Sequence, residues 1–360
     1  MTHRRLLLLD FDGTITQDDS LASLIALSIE ALPPSPSPSP SPPASPLHQQ
    51  NPPSPPTTPD PITTNHNHNP PSKPTTARTT TTPPNPIPTP PNKPALAALW
   101  TEIVRDYLAA HAAHRASYRP PAEARSTLAA ELEFLESVGP IERASVRRVG
   151  EAGFFAGLGA EVLRGVGRRA FELGCQARGG GCESGGGGEG VRVRKGFGEF
   201  LGRYGGGGGG EKGWDVAVVS VNWSGAFIKG VVEAASGNGG IRRVVANGIG
   251  FPEGMVEGPP ELGKEPLCTA GDKLRAMKSV TGGLEEQKVV YFGDSATDLA
   301  CLVAADLGVV MADDGETKLL KILARIGVEV PHVREAREGD KLVWGRDFKE
   351  VLQSGVMERI

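Results

Sequence analysis

Four consecutive leucines near the start of the chain end abruptly in two carboxylates and a glycine. The run Leu6–Leu9 is followed by Asp10, Asp12 and Gly13. So short an apolar run, bounded by a turn signal, predicts a β-strand covered on both faces, as in a parallel sheet. Open α/β sheets bind ligands at the carboxyl ends of their strands, which is where this strand would present its two acids. The glycine allows backbone N–H groups at the turn to point at an anion.

Two carboxylates so close together repel each other unless a cation or a retained proton separates their roles. One interpretation of Asp10 and Asp12 is therefore a pair with acid and base chemistry, assisted by a metal. The other is a buried strand that ends in an ordinary Asp-Gly turn, because a bare D-x-D-G pattern is also found without chemistry. Polar side chains at the ends of other predicted strands would favour the first interpretation, because they could share a site with this pair.

The composition of the 360-residue chain is very uneven. Of its 32 prolines, 24 lie between Pro33 and Pro94, among Ser, Thr and Asn. Such a segment cannot bury enough apolar surface to offset its ordering entropy, which predicts a disordered insertion over residues 32–94. Its proline-rich stretches also fit the grooves of SH3 and WW domains, so a partner of that kind is a second possibility. Glycine runs predict a linker over residues 179–190 and a flexible loop over residues 205–210.

The remaining segments differ in the spacing of their apolar residues. Residues 95–178 carry apolar side chains at three- and four-residue intervals, which predicts an inserted block of helices. Within it, His111 and His114 lack a third ligand at a suitable spacing, so we expect surface histidines. Residues 1–31 and 191–360 alternate apolar runs with helical patterns, which predicts an α/β fold with a doubly wound, Rossmann-like parallel sheet. The predicted strands after the leucine run are Trp214–Ser220, Ile241–Val245 and Val289–Phe292.

Charge and apolar content exclude several classes of partner. A formal net charge of −4 gives no signature of binding to nucleic acid or to an anionic membrane surface. The leucine run is too short for a signal peptide, and no segment approaches the roughly 20 apolar residues that span a bilayer. The four cysteines show no metal or disulfide spacing, which favours a reducing compartment. We therefore expect a soluble, cytoplasmic protein.

Two further predicted strands also end in polar side chains. One ends in Ser220, and Ser224 at the start of the next helix is a rival for the same role. The other runs into Asp294, with Asp298 one helical turn later. Because parallel strands end at one edge of a sheet, these residues can meet Asp10 in a single crevice.

The pattern D-F-D-G-T at residues 10–14, after the leucine run, resembles the first motif of the haloacid dehalogenase-like (HAD) hydrolase superfamily. Ser220, Lys273 and the run Gly293–Asp298 resemble its second, third and fourth motifs, in the same order along the chain. The inserted helices are similar in position to the helical cap of the phosphoserine phosphatase-like branch. The proline-rich insertion and the glycine runs depart from the family pattern.

The resemblance implies a role for each side chain at these positions. Asp10 would be the nucleophile that forms an aspartyl-phosphate, and Asp12 the general acid and base. Gly13, Ser220 and Lys273 would bind the transferring phosphoryl group. Two other lysines compete for the role of Lys273: Lys264 and Lys278.

The same resemblance implies a Mg²⁺ site. Asp294 would bind the ion together with the Asp10 carboxylate and the Asp12 backbone carbonyl, since hard oxygen ligands suit Mg²⁺. Asp298 would lie in the shell behind these ligands.

The expected function is that of a Mg²⁺-dependent phosphatase acting on a small phosphorylated metabolite. Asp12 argues against a dehalogenase of the same superfamily, because expelling halide needs no proton and an ester oxygen does. The alternative is a binding or scaffold protein that keeps the HAD fold and works through its proline-rich segment. The substrate itself is not predictable, because one sequence does not tell which side chains of the insertion point inward. The candidates are Trp100, Tyr107, Arg115 and Arg125.

Overall fold

The structure is a computed structural model that describes residues 4–33, 92–176, 190–205, 213–237, 240–282 and 287–360. These residues belong to one compact unit, and a second unit, residues 35–89, lies outside the described part of the chain. Most of the proline-rich segment and of the two glycine runs therefore stays a prediction.

Six parallel strands form the main sheet, in the order β3-β2-β1-β6-β7-β8. β1 therefore lies inside the sheet, between β2 and β6, and the later strands lie on both sides of it. A separate antiparallel pair, β4 and β5, follows β3 along the chain. The strands are β1 Arg4–Leu9, β2 Asp215–Val219, β3 Arg243–Val245, β4 Gly248–Ile249, β5 Val256–Glu257, β6 Gln287–Gly293, β7 Leu307–Met311 and β8 Leu342–Gly345.

The described part of the chain also contains eleven α-helices. Four of them, α2 to α5, form the insertion between β1 and β2. The helices are α1 Leu21–Ala31, α2 Lys93–Ser117, α3 Leu128–Ser137, α4 Gly139–Glu151, α5 Ala160–Gln176, α6 Phe197–Tyr204, α7 Gly225–Ser236, α8 Ala270–Thr281, α9 Leu299–Ala304, α10 Lys318–Arg325 and α11 Phe348–Ser354.

The leucine run is buried on both faces of the sheet, with every leucine at most 2% exposed. Leu7 and Leu9 belong to a core that includes residues of α6, α7 and α11. Leu6 and Leu8 belong to a second core that includes residues of α8, α9 and α10. This confirms the predicted α/β fold with a doubly wound parallel sheet, and it places Asp10 at the carboxyl end of a central strand.

The helical insertion is attached to the helices of the sheet. α5 approaches α7 so closely that a Cβ on Gly167 would overlap the backbone oxygen of Phe227. α2 begins at Lys93, two residues before the predicted block, and Asn92 caps it by accepting from the Ala95 N–H at 2.9 Å. The insertion and the sheet share one compact unit, so a separate cap domain stays a prediction. None of the described helices is long and apolar enough to cross a membrane.

Candidate active site at the carboxyl edge of the sheet

Asp10 is buried directly beyond β1. Its backbone N–H donates to the Phe292 carbonyl at 2.9 Å, which ties it to the end of β6. Its Oδ1 lies 2.8 Å from Lys273 Nζ. In the described part of the chain, no group other than this ammonium lies at hydrogen-bonding distance from Oδ1. Among the described residues, the Lys273 ammonium is thus the positive charge that faces this oxygen.

Lys273 lies in the first turn of α8, where Thr269 and Asp272 form a capping box. Its fully buried ammonium is 2.8 Å from Asp10 and 2.6 Å from Asp298. Burial alone would lower the pKa of this lysine, but the two carboxylates together raise it, so the ammonium stays charged. The rival lysines, Lys264 and Lys278, are exposed.

Asp298 is fully buried and accepts hydrogen bonds on both oxygens. Oδ1 accepts from Lys273 at 2.6 Å and from the Tyr291 hydroxyl at 2.7 Å. Oδ2 accepts from the Asp294 N–H, the Ser295 N–H and the Ser295 hydroxyl, at 3.0 to 3.2 Å. With both oxygens occupied, Asp298 is suited to holding its neighbours in place.

Asp10, Asp294 and Asp298 each offer an oxygen within 4.8 Å of the others. Burial, with repulsion from Asp298, raises the pKa of Asp10 well above its usual value and that of Asp294 to about 7, although Lys273 opposes both shifts. So much unfavourable negative charge at one point is what a bound divalent cation would relieve. Because Asp298 already has its donors, Asp10 and Asp294 are the carboxylates available to an ion, and hard oxygen donors fit Mg²⁺.

Gly13 makes room for Asp294. Its φ of +74° is in the left-handed region, and a Cβ at this position would overlap the Asp294 carboxylate. The Gly13 N–H donates to the Thr16 hydroxyl at 3.1 Å, so it is engaged within its own turn. Thr14 donates its hydroxyl to Asp294 Oδ1 at 3.0 Å. The glycine predicted to bind phosphate therefore shapes the site chiefly by lacking a side chain.

The Asp12 carboxylate is held apart from this cluster. Oδ1 accepts from the Ser20 N–H at 2.9 Å and from the Ser20 hydroxyl at 2.6 Å, and Oδ2 accepts from Asn222 Nδ2 at 2.8 Å. Burial, followed by the charge of Asp19, raises the pKa of Asp12 to about 6, although the hydrogen bonds oppose the rise. The metal ligand that the resemblance implies is the Asp12 backbone carbonyl, and it stays a prediction.

Ser220 directly follows β2, the neighbour of β1. It is fully buried, and its hydroxyl accepts from the Asn222 N–H at 3.2 Å. Its rival Ser224 is the cap of α7, where its hydroxyl accepts from the Phe227 N–H. A structural role thus accounts for Ser224, and Ser220 is the serine at the strand end.

Three residues that the sequence did not identify make contacts at the site. Asn222 and Ser20 bind Asp12 as described above. Arg194, only 6% exposed, donates Nε to the Gly13 carbonyl at 2.9 Å and Nη1 to Asp313 at 2.7 Å. A signal existed for Asn222, a polar residue two positions after a strand-end serine. None existed for Arg194, since its contacts join distant parts of the chain.

The four candidate specificity residues of the insertion lie in different places. Trp100 packs edge-on against Trp223, next to Asn222, with ring centroids 6.0 Å apart. Tyr107 donates its hydroxyl to Glu142 at 3.0 Å. Arg125 is buried against Glu131 inside the insertion, and Arg115 is exposed.

The two histidines of the insertion are half-buried, so they are less exposed than the expected surface histidines. His111 Nε2 lies 2.8 Å from Glu142, and His114 Nε2 lies 2.8 Å from the Ser137 hydroxyl. Both rings face neighbouring helices, because Glu142 lies in α4 and Ser137 in α3.

Solved structures to which the chain is similar match it at low identity and with low TM-scores. A phospho-aspartyl intermediate analogue of phosphoserine phosphatase has 14% identity and a TM-score of 0.40, with 98% of this chain and 99% of that chain covered. A substrate-bound phosphoserine phosphatase has 14% identity and a TM-score of 0.41, with the same coverage. A phosphoserine phosphohydrolase-like protein from Francisella tularensis has 12% identity and a TM-score of 0.42, with 97% and 98% covered. No family model matches the chain, and none of the curated proteins matches it. Because the identities and the TM-scores are low, these matches do not bear on the reaction. The proposal for the reaction rests on the geometry of the site.

Proposed function

We propose that this chain is a Mg²⁺-dependent phosphomonoester hydrolase of the HAD superfamily that acts on a small phosphorylated metabolite. The observation that supports it is the division of the carboxylates into two environments. Asp10 lies against a buried lysine and beside Asp294, whereas Asp12 is hydrogen-bonded elsewhere and has a pKa of about 6. The reaction needs one carboxylate as the nucleophile and a second one as the acid and base, and these two roles require different environments.

The residues that would hold Mg²⁺ are Asp10, Asp294 and the backbone carbonyl of Asp12, with Asp298 behind them. When bound, the ion would offset the negative charge of the phosphoryl oxygens and of the nucleophile. Lys273 supplies a second positive charge at the same place from the protein side. Ser220, at the neighbouring strand end, would donate its hydroxyl to a phosphoryl oxygen.

In the first half of the reaction, a carboxylate oxygen of Asp10 attacks phosphorus. A new O–P bond forms as the ester O–P bond breaks, and protonated Asp12 gives its proton to the leaving oxygen. A pKa of about 6 keeps a useful fraction of this carboxyl protonated near neutral pH. The product alcohol leaves, and Asp10 carries the phosphoryl group.

In the second half, the Asp12 carboxylate takes a proton from a water molecule that attacks the same phosphorus. The O–P bond to Asp10 breaks, inorganic phosphate is released, and Asp12 is again protonated. The Asp10 carboxylate is restored beside Lys273. One residue thus acts first as the acid and then as the base.

Replacing each acid by asparagine tests the assignment. Asp10→Asn has no carboxylate to attack phosphorus and should form no phosphoenzyme with any substrate. Asp12→Asn keeps the nucleophile, so its kcat/KM, which reports the steps up to release of the alcohol and not the later hydrolysis of the phosphoenzyme, should fall about 10²- to 10⁴-fold on an alkyl phosphate and much less on p-nitrophenyl phosphate, whose leaving group departs without a proton. Steady-state rates and peptide mapping of the trapped phosphoenzyme measure both effects. A phosphate on Ser220 or Ser224, or equal losses on both substrates, would contradict the roles.

The other predictions about partners remain open. Nothing among the described residues favours the alternative of a binding or scaffold protein, and its proline-rich segment lies outside them. The SH3 or WW partner, the absence of nucleic-acid and membrane partners, and the cytoplasmic location stay predictions from the sequence.

A further inference from the structure

The helical insertion makes a direct contact with the helix that carries Lys273. Glu136, near the end of α3, accepts a hydrogen bond from the Gly271 N–H at 2.6 Å and another from the Thr269 hydroxyl at 3.2 Å. Gly271 is in the first turn of α8, and a Cβ there would overlap the Glu136 carboxylate. The fit between the two elements is therefore close.

A second side chain of the insertion reaches the same turn. Arg143 of α4 places Nη2 3.4 Å from both oxygens of Asp272, which is almost completely buried. Asp272 is the residue immediately before Lys273 and belongs to the capping box of α8. Contacts from α3 and α4 thus fall on consecutive positions directly before the lysine.

A carboxylate suits this position for a simple reason. The first N–H groups of a helix have no partner within the helix, and the positive end of the helix dipole favours a negative charge there. The capping box of α8 uses the N–H groups of Thr269 and Asp272. Glu136 supplies the partner for Gly271 from a different element of the chain.

The orientation of this turn decides where the lysine ammonium lies. Lys273 is fully buried between Asp10 and Asp298, with distances of 2.8 and 2.6 Å that a shift of its backbone would change. Active-site groups have to be held within about 0.5 Å of their working geometry, by residues that themselves are fixed. A misplacement of about 1 Å can reduce a rate about 100-fold.

We propose that Glu136 is a positioning residue for Lys273: it fixes the first turn of α8 and thereby keeps the ammonium against Asp10. The inference rests on the proposed function, in which Lys273 neutralises the nucleophile and the transferred group. It gives the helical insertion a part in the phosphoryl-transfer step, besides any contact with the leaving group.

Two substitutions break the contact from opposite sides. Glu136→Ala removes the acceptor, and Gly271→Ala displaces the Glu136 carboxylate while raising the helix propensity of α8. Each should lower kcat on p-nitrophenyl phosphate about tenfold with little change in KM, because Lys273 acts on charge that develops in the transition state. The double variant should be no worse than either single variant, since both remove one contact. Glu133→Ala, an exposed glutamate of the same helix, is the control and should match the parent protein.

A readout that needs no catalysis separates this inference from the proposed function. Acetylation of Lys273 by acetic anhydride, followed by peptide mass spectrometry of the full chain, reports how well the ammonium is held. We expect Lys273 to be labelled several-fold faster in Glu136→Ala and in Gly271→Ala than in Glu133→Ala. A parent protein without phosphatase activity would refute the proposed function, while the labelling would still decide whether Glu136 positions the lysine.

Two results would overturn the inference. One is Lys273 labelling in Glu136→Ala that equals the labelling in Glu133→Ala. The other is a rise in KM with unchanged kcat, which would mean that Glu136 acts on substrate binding and not through the lysine.

Discussion

Two aspartates of the site, one helical turn apart, have opposite environments. All five groups that contact the Asp298 carboxylate are hydrogen-bond donors, so this residue has to be an acceptor on both oxygens. Asp294 accepts one hydrogen bond, from Thr14, and its pKa of about 7 shows that its charge is unfavourable where it lies. The first residue therefore holds the site together, and the second is free to bind an ion.

Asparagine substitutions should separate these two roles. In Asp298→Asn the amide N–H₂ group faces hydrogen-bond donors and cannot pair with them. Lys273 also loses the negative charge of one of its two partners. The free energy of unfolding should therefore fall by about 3 kcal/mol. Asp294→Asn should be at least as stable as the parent protein without Mg²⁺, because it removes an unfavourable buried charge. Urea denaturation with and without Mg²⁺ measures both. The parent should gain stability from the ion by mass action and Asp294→Asn should not, and an equal gain in both would refute the ligand assignment.

Asn222 should matter for proton transfer, since it donates to Asp12 Oδ2. A hydrogen bond to a charged group contributes about 1.5–3 kcal/mol, so Asn222→Ala should lower kcat/KM on an alkyl phosphate by about 10- to 150-fold. On p-nitrophenyl phosphate, which needs little acid assistance, the loss should be small. Asn247→Ala is the matched control, because this buried asparagine binds backbone groups of Val221, Asn222 and Leu267 and no carboxylate, so it reports what a loss of local structure alone does to Asn222. A loss on both substrates alike in Asn222→Ala would assign it a structural role only.

At the scale of elements, apolar runs predicted the strands that carry the site. β1, β2 and β6 lie within a residue or two of their predicted bounds, because each is an apolar run that ends in a polar turn. The sequence did not reveal β7 and β8. β7 follows α9 after two residues, so one apolar stretch covers both elements, and β8 is a four-residue edge strand.

The side chains that organise the site were harder to predict than the strands. Asp10 and Asp298 follow the ends of parallel strands, so a common site was expected for them, whereas Lys273, in the first turn of α8, was expected there only from the resemblance. Glu136 and Arg143 gave no such signal: both lie on helices whose charges are typical of a solvated face. Their partners are more than 100 residues away, and only the packing of α3 and α4 against α8 reveals them.

The close contact of α5 with α7 gives a prediction about the insertion. Gly167→Ala places a methyl group against the Phe227 carbonyl, where only backbone movement can relieve the overlap, so it should lower the free energy of unfolding by about 1–3 kcal/mol. Gly165→Ala, in the same helix, meets nothing within 4 Å and should raise it by up to about 1 kcal/mol through helix propensity. Chemical denaturation of the two variants and the parent protein gives the comparison. Equal effects would mean that α5 does not pack on α7 as described.

For the molecule as a whole, the described residues on either side of the proline-rich segment lie together. α1 ends at Ala31 and α2 begins at Lys93. The Lys93 ammonium donates to the Glu30 carbonyl at 2.7 Å, which joins the end of one helix to the start of the other. A short connection can therefore span the two helices, and the fold of the described residues does not require a long one.

Replacing residues 34–91 by a Gly-Ser linker of about six residues should leave the fold and the phosphatase activity intact. Each doubling of a flexible loop costs about 0.6 kcal/mol of closure entropy, so the shortened chain should be more stable by about 2 kcal/mol if the segment is disordered, as its composition predicts. Denaturation midpoints and turnover of p-nitrophenyl phosphate measure the two effects. A variant with a Gly-Ser segment of the original length separates loop length from loop sequence and should match the parent in both measurements. Loss of activity in both variants would show that the proline-rich sequence itself contributes to the site, whereas absence of activity in the parent protein as well would favour the scaffold alternative.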